Sequence, residues 1–440
     1  MNATALATAL DEQREGLLPC VHCGFCLSAC PTYKRLGDEA DSPRGRLHLM
    51  GAVVEGRLSP ASEAFRTHID RCLGCRACEP VCPSGVQYGS LLELARDVAA
   101  RHRRPSFLTR ALLGVFANPF FRRPTLMKGR VARALGLDRF LVAILPGRGV
   151  LGSARLGLAM LAASAPWKGL RKWGGGDTPP PAPPVPRRNV TVALLDGCVQ
   201  DGLYRRVNDA TRRVLEANGF TVVKVAGQGC CGALHAHAGS LDGARALARR
   251  NVDRFLTDGV DLVVVNAAGC GAAMKEYRHL LQHDPGYRER AGDLAARVRD
   301  ATEVLAEVGP REGAAMSGSV AYDHPCHLLH AQRVEREPLR VLAAIPGLEV
   351  RVVADADECC GGAGIYGITH PELGAAIGGD KVASVRESGC EVVSTPNPGC
   401  MMQIGGGLRL AGEPLPVLHP LELLDESYRR AGYYDIASED

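Results

Sequence analysis

The chain has 440 residues, of which 46% are hydrophobic, so it is long enough for about three domains with sizeable cores. Its net charge of +4 indicates no particular class of partner, and its 17 cysteines are better explained in a reducing compartment as metal ligands than as disulfides. We expect no export signal, because the N-terminus lacks a basic stretch followed by an apolar core. No apolar run of about 18 residues occurs, so we expect no membrane span. These features predict a cytoplasmic protein, or one peripheral to the cytoplasmic face of the inner membrane.

Two cysteine runs of identical spacing lie near the N-terminus, at residues 20–31 and 72–83, and each reads Cys-x2-Cys-x2-Cys-x3-Cys-Pro. In bacterial ferredoxins of this spacing, three thiolates bind one [4Fe–4S] cluster and the fourth binds the neighbouring cluster. Zinc sites usually use cysteine pairs set well apart, and disulfide frameworks belong to small secreted domains, so both are disfavoured. We therefore predict two clusters with crossed ligand sets, one on Cys20, Cys23, Cys26 and Cys82, the other on Cys72, Cys75, Cys78 and Cys30.

The segments around the two runs predict helices rather than strands. A turn at Ser42-Pro43 precedes a predicted helix over 47–56, a second helix begins near Ser62, and a third covers 91–101. We therefore expect residues 1–100 to form a helix-rich, ferredoxin-like domain with two clusters, unlike a compact ββ ferredoxin.

Residues 101–172 are strongly basic. They contain fifteen Lys or Arg and one acid, Asp138, with apolar residues interleaved. This pattern suits an amphipathic surface for anionic lipid or for an acidic partner subunit, and it also suits a solvated connector; charge patterning alone leaves these alternatives open. No nucleic-acid-binding motif accompanies the charge, so we expect no nucleic acid partner. A Gly- and Pro-rich stretch follows at 174–186, and we assign 101–188 as basic segment and linker.

An internal repeat occupies the rest of the chain. Cysteines recur in two copies with offsets of 128 to 130 residues, and strand and helix patterns alternate around them. We therefore predict two parallel α/β domains, at 189–310 and 311–432, whose cysteine-bearing loops lie at the carboxyl ends of the strands, with the two rims facing each other. The repeated cysteines are Cys198, Cys230, Cys231 and Cys270 in the first copy and Cys326, Cys359, Cys360 and Cys400 in the second.

Each copy resembles the cysteine-rich CCG domain, through Cys230-Cys-Gly232 and Cys359-Cys-Gly361. Family members with an extra cluster often end the pattern with Cys-x-x-Cys, but Ala273 and Gln403 replace the last cysteine here. A third iron–sulfur centre shared between the halves therefore stays open, the alternative being buried, inert thiols. Cys390 lies outside the repeat, and we expect it to be a core residue.

Other motifs carry less weight. Residues 362–367 match G-x-G-x-x-G but follow the double cysteine rather than a strand, so we expect a turn near a cluster and no dinucleotide. His324, His327 and His330 surround Cys326; a metal or proton-transfer role is open, and helix capping or surface placement is commoner.

The chain resembles, over nearly its full length outside the basic segment, a family of respiratory electron-transfer subunits. That family includes iron–sulfur subunits of glycolate oxidase, anaerobic glycerol-3-phosphate dehydrogenase, lactate utilisation complexes and heterodisulfide reductase. The chain is most similar to the glycolate oxidase iron–sulfur subunit. The stretches that carry the resemblance are residues 20–33, 41–46, 323–332, 359–366 and 397–404.

The resemblance implies that an FAD-containing partner oxidises glycolate to glyoxylate and that this chain passes single electrons toward a quinone-type acceptor, not NAD. The chain would then be the non-flavin subunit of an oxidoreductase complex, with no catalytic residue of its own and the substrate and FAD on partner subunits. Alternatives are the equivalent subunit of a lactate or glycerol-3-phosphate dehydrogenase, or a thiol/disulfide subunit like that of heterodisulfide reductase.

Overall fold

The computed structural model describes residues 14–102, 106–147, 149–175, 186–257 and 259–434. Its first part, residues 14–102, contains helices and loops without a strand, so the predicted helix-rich character is confirmed. Side-chain caps set two helix starts, because Ser42 Oγ accepts from the Gly45 amide and Ser62 Oγ accepts from the Phe65 amide. The helices are α1 (Arg14–Leu17), α2 (Phe25–Ser28), α3 (Pro31–Leu36), α4 (Pro43–Val54), α5 (Glu63–Arg71) and α6 (Tyr88–His102), with a 3-10 turn at Glu39–Asp41.

The basic segment is also helical. Its helices are α7 (Phe107–Ala117), α8 (Pro119–Ala134), α9 (Leu137–Ile144) and α10 (Gly149–Ala163). Among the described residues, no helix has the length and apolar character needed to span a bilayer. Most of the predicted Gly- and Pro-rich linker lies outside the described residues.

The first α/β half contains a four-stranded parallel sheet in the order β2-β1-β3-β4. The central strand β1 pairs Val192 with Val222 on one side and with Leu262 on the other. The strands are β1 (Thr191–Leu194), β2 (Thr221–Val223), β3 (Leu262–Val265) and β4 (Val298–Asp300). The helices are α11 (Val199–Leu203), α12 (Arg205–Ala217), α13 (Ala233–His237), α14 (Leu241–Phe255), α15 (Ala268–Lys275), α16 (Tyr277–Leu280), α17 (Arg288–Arg297) and α18 (Ala301–Val308).

The second half repeats this topology in the order β6-β5-β7-β8, with Val320 paired to Val350 and Val392. The strands are β5 (Gly318–Tyr322), β6 (Leu348–Val352), β7 (Val392–Ser394) and β8 (Val417–Leu418). The helices are a π-helical turn (His327–Ala331), α19 (Glu337–Ala343), α20 (Tyr366–Thr369), α21 (Pro371–Glu387), α22 (Pro398–Leu410) and α23 (Pro420–Arg430). The predicted pair of parallel α/β repeats is confirmed. The sequence patterns missed the fourth strand of each sheet, because β4 (Val298–Asp300) has one apolar residue among two charged ones and β8 (Val417–Leu418) has only two residues.

The two halves form a continuous interface. Helices α12 and α23 pack side by side, with Arg213 and Asp425 paired at 2.7 Å. The cysteine-bearing rims also meet, since the Ala268 amide donates to the Pro396 carbonyl at 3.2 Å and the Gln332 side-chain amide donates to the Ala268 carbonyl at 2.9 Å. The rims therefore face each other, as expected from the repeat.

Candidate iron–sulfur sites

The eight ferredoxin-type cysteines line two small adjoining cavities. Cys78 and Tyr88 line both, which places the two cavities back to back. The first is lined by Cys20, Cys23, Cys26 and Cys82, and the second by Cys30, Cys72, Cys75 and Cys78. The fourth cysteine of each run thus lies with the first three of the other run.

The two cysteine loops share an unusual backbone conformation. In each loop, the second and fourth residues after the first cysteine adopt positive φ, at 56° and 87° for His22 and Gly24, and at 68° and 64° for Gly74 and Arg76. Non-glycine residues rarely adopt this conformation, so His22 and Arg76 are held there by the loop. Equal turns of this kind coil three cysteines around a common point, which fits the ferredoxin type of ligation.

Burial disfavours the ionised, thiolate form of the cysteines that line the second cavity. It raises the pKa of Cys75 and of Cys78 well above the ordinary value, with neighbouring thiols adding to the effect. Thiolates crowded in this way are stable only when cations neutralise them, and iron would supply that charge. The donor set therefore fits iron–sulfur ligation.

A buried guanidinium lies beside this second set. Arg46 is fully buried, and its Nη1 lies 4.0 Å from Cys30 Sγ. It donates to Thr32 Oγ1 at 3.1 Å, to Asp41 Oδ1 at 3.2 Å and to the His68 carbonyl at 2.6 Å. Arg46 lies in a stretch that carried the family resemblance, but the sequence did not reveal its place beside the cysteines.

The first α/β half gathers its own four cysteines. Cys198 and Cys230 pack together with Leu247, and Cys231 hydrogen-bonds with both Cys230 and Cys270. Hydrogen bonds from Cys198 and Cys231 hold the pKa of Cys230 well below the usual thiol value, whereas the hydrogen bond to Cys230 raises that of Cys198. One thiolate would thus be shared among neighbouring thiols, as expected where several sulfurs converge.

The second α/β half also gathers its own four cysteines. Cys360 Sγ lies 3.2 Å from Cys400 Sγ, and the Asn397 side-chain amide donates to Cys400 Sγ at 3.3 Å. Hydrogen bonds from Cys359 and Cys400 hold the pKa of Cys360 well below its usual value, while Cys359 hydrogen-bonds with Cys326. Each half therefore gathers its four cysteines in a thiol cluster of its own.

Two cysteines of the second α/β half lie next to the second ferredoxin-type set. Cys326, Cys359, Leu73 and Cys75 belong to one buried cluster, and the Tyr366 hydroxyl donates to the Arg71 carbonyl at 2.7 Å. The turn at 362–367, which precedes α21, thus packs against the ferredoxin-like domain. The first-half set lies beside Phe116 and Ala117 of α7, and its Cys231 also lines a cavity with Glu93 and Leu94 of α6.

Of the histidines around Cys326, His324 and His330 are buried, whereas His327 is half-buried at the start of the π-helical turn. His324 packs edge-on against the Tyr322 ring, His330 Nε2 lies 2.8 Å from the Asp357 carbonyl, and the ring of His327 lies 5.0 Å from that of His237. Surface placement, considered commoner from the sequence, is therefore wrong for His324 and His330, because tertiary packing closes the rim over these two rings. Cys390 is buried, as expected.

One difference between the halves was not apparent from the sequence. The second half buries an ion pair, Lys381 with Asp323 at 2.8 Å, beside Cys360 and Cys400. Leu195 is the first-half equivalent of Asp323, since the amides of both residues make the same bond to the neighbouring strand. Asn251 is the equivalent of Lys381, since each is the eleventh residue of its helix, α14 (Leu241–Phe255) and α21 (Pro371–Glu387). The charge is therefore specific to the second half.

Fold and sites define an iron–sulfur protein that joins a two-cluster domain to two cysteine-rich domains. Residues 16–86 match the 4Fe-4S dicluster domain, and residues 192–275 and 320–405 match the Cysteine-rich domain.

Comparison with curated proteins narrows this class. The chain is 36% identical over 409 residues to the probable glycolate oxidase iron-sulfur subunit of Bacillus subtilis (strain 168), covering 91% of each chain. It is 34% identical over 423 residues to the glycolate oxidase iron-sulfur subunit of Escherichia coli (strain K12), covering 94% of this chain and 95% of the relative. Lactate utilization protein A of an Exiguobacterium species is 30% identical over 54% of this chain and 99% of its own. The chain belongs to the glycolate oxidase iron–sulfur subunit family.

Proposed function

We propose that this chain carries single electrons away from an FAD-containing partner that oxidises glycolate to glyoxylate. Bound [4Fe–4S] clusters accept and release one electron at a time, whereas a flavin takes up two electrons as a hydride equivalent. The observation that carries the proposal is the continuous series of cysteine sets, from the half-exposed Cys20 set through the buried Cys72 set to Cys326 and Cys359. The substrate is taken from the names of the two relatives that match more than nine-tenths of the chain.

We place the contact with the flavoprotein at the exposed end of this series. Cys23 is exposed, unlike the cysteines of the second set, so this end is the one that a partner can approach. Three apolar side chains around it, Leu18, Val21 and Phe25, are each more than 60% exposed. An apolar centre of this kind suits a small redox interface, since such encounters bury little surface.

The second-half cysteines support a third centre in this proposal. Cys326, Cys359, Cys360 and Cys400 supply four thiols, the number that a four-iron cluster takes, and two of them, Cys326 and Cys359, pack with Cys75. Buried Lys381 offsets thiolate charge there, and it helps to hold the pKa of Cys360 low. The acceptor beyond the series would be a quinone-type carrier.

Replacing one cysteine of the buried set tests the relay. In the complex assembled with its flavoprotein subunits, Cys75→Ala should abolish glycolate-dependent reduction of a distal dye while flavin reduction by glycolate persists. Cys390→Ala is the matched control, because Cys390 is also a buried cysteine but lies outside every set. Unchanged dye reduction in Cys75→Ala would contradict the proposal.

Iron analysis tests the third centre. The ferredoxin-type sets account for about eight irons per chain, at four per cubane, and a centre in the second half raises this to about twelve. Cys360→Ala should then remove about four irons. A wild-type content of about eight would mean that the second-half thiols bind no iron.

A lactate-oxidising partner is the second candidate, because lactate utilization proteins match about half of the chain over nearly their full length. The substrate would bind the partner, so the choice is tested there. Flavin bleaching of the purified complex by glycolate but not by lactate supports the first proposal, and the converse supports the second.

A further inference from the structure

Exposed apolar side chains are concentrated on the basic helices. Among the described residues, seventeen large apolar side chains are exposed, and eleven of them lie between Phe107 and Leu151. Phe107 is 84% exposed and Phe120 is 77% exposed, values unusual for phenylalanine. Exposed apolar side chains concentrated on neighbouring helices in this way are typical of an interaction surface.

These side chains share faces of their helices. In α9, Leu137, Phe140 and Ile144 recur at helical spacing on the exposed side, while Asp138 and Val142 occupy the buried side. In α8, Phe120, Met127 and Val131 are exposed along one face, whereas Arg122 of that helix is buried. The apolar faces therefore point away from the protein.

The charges around this patch have one sign. Arg110, Arg123, Lys128, Arg130 and Arg139 are exposed on the same helices. The only acid between residues 101 and 172 is Asp138, which is fully buried. Apolar side chains surrounded by cations, without an accessible carboxylate, complement a surface that combines acyl chains with anionic headgroups.

We propose that α7, α8 and α9 form a membrane-docking face that binds an anionic phospholipid bilayer. The phenylalanines enter the boundary between headgroups and acyl chains, and the arginines and lysine contact the headgroup phosphates. No spanning helix is required for this mode, because the helices lie in the plane of the interface. The proposal is independent of the proposed function, since lipid binding needs neither glycolate nor a flavoprotein.

Vesicle flotation of the full-length chain tests the docking face. The protein should float with vesicles of phosphatidylglycerol and phosphatidylcholine, bind phosphatidylcholine alone far more weakly, and lose affinity as salt is raised. Each cation near an anionic surface contributes about fivefold, so removing three should weaken binding about a hundredfold. That cation variant is Arg123→Gln, Lys128→Gln and Arg130→Gln.

A second variant tests the apolar contribution. This variant replaces four exposed phenylalanines of the docking face by serine. It should lose binding to both vesicle types. Because the four rings are exposed, it should keep the wild-type melting temperature. Val352→Ser is the control, since Val352 is about half exposed on β6, outside the face, and should bind normally. The apolar variant is Phe107→Ser, Phe120→Ser, Phe121→Ser and Phe140→Ser.

Two results would overturn the proposal. One is wild-type protein that stays in solution with anionic vesicles. The other is vesicle binding that both variants retain in full. If the variants instead lose assembly with the flavoprotein subunits while lipid binding is absent, the face is a protein interface.

Discussion

Arg46→Met should lower the reduction potential of the cluster that we place on Cys72, Cys75, Cys78 and Cys30. Arg46 Nη1 lies 4.0 Å from Cys30 Sγ, with no solvent between them to screen the charge because both side chains are buried. At that distance a unit charge is worth about 4 kcal/mol in a medium of dielectric constant about 20. An added electron spreads over the whole cluster, which roughly doubles the distance and halves the energy to about 2 kcal/mol.

Asp41, which pairs with Arg46 at 3.2 Å, keeps its charge in the variant, so the change in potential comes from the lost Arg46 charge alone. At about 59 mV per 1.4 kcal/mol for one electron, the expected decrease is about 50 to 90 mV. The substitution leaves Asp41 paired with Arg71 at 2.9 Å, so the carboxylate is not left buried without a cation.

Potentiometric titration monitored by electron paramagnetic resonance would measure this shift. The potential of this cluster should fall, and those of the remaining centres should stay nearly constant. Arg71→Met is the control: it removes another cation from the same carboxylate, but its side chain is 40% exposed and solvent screens it, so a smaller shift is expected. Unchanged potentials in an Arg46→Met protein with full iron content would refute the reasoning.

Three further predictions concern stability and assembly. Lys381→Asn alone should cost about 3 to 5 kcal/mol by leaving Asp323 buried without a cation, and adding Asp323→Leu, which copies the first half, should recover most of the loss in denaturant unfolding. His419, whose pKa burial lowers to about 3, caps α23 as a neutral ring. The unfolded chain takes up a proton below about pH 6.5, so lowering the pH from 8 to 5 should cost about 2 kcal/mol, and His419→Asn, which still caps, should remove that pH dependence. Phe25→Asp should weaken binding of the flavoprotein at least tenfold in a titration, whereas Val352→Asp should not; equal affinities would place the interface elsewhere.

The features that the sequence predicted best are those carried by local spacing. The ferredoxin-type runs predicted which cysteines lie together, because each cysteine loop is short. The cysteine offsets did so as well, because two copies of one sequence pattern fold into two copies of one topology. The alternation of strand and helix patterns predicted three strands of each sheet, because that signal is also local in the sequence.

Features that depend on distant packing could not be predicted. Arg46 lies beside Cys30 only because α4 packs against the cysteine loop, and the Lys381–Asp323 pair joins the end of β5 to α21. For the basic segment, composition left lipid, partner and connector open, and the exposure of side chains such as Phe107 supports the docking proposal.

The most direct test of electron transfer is rapid-freeze paramagnetic resonance of the complex mixed with glycolate. Signals of reduced clusters on this chain should follow flavin reduction, and Cys75→Ala should lose the signal of the buried set while flavin reduction continues. Flavin that is reduced by glycolate while the clusters of the wild-type chain stay oxidised would contradict the proposed relay.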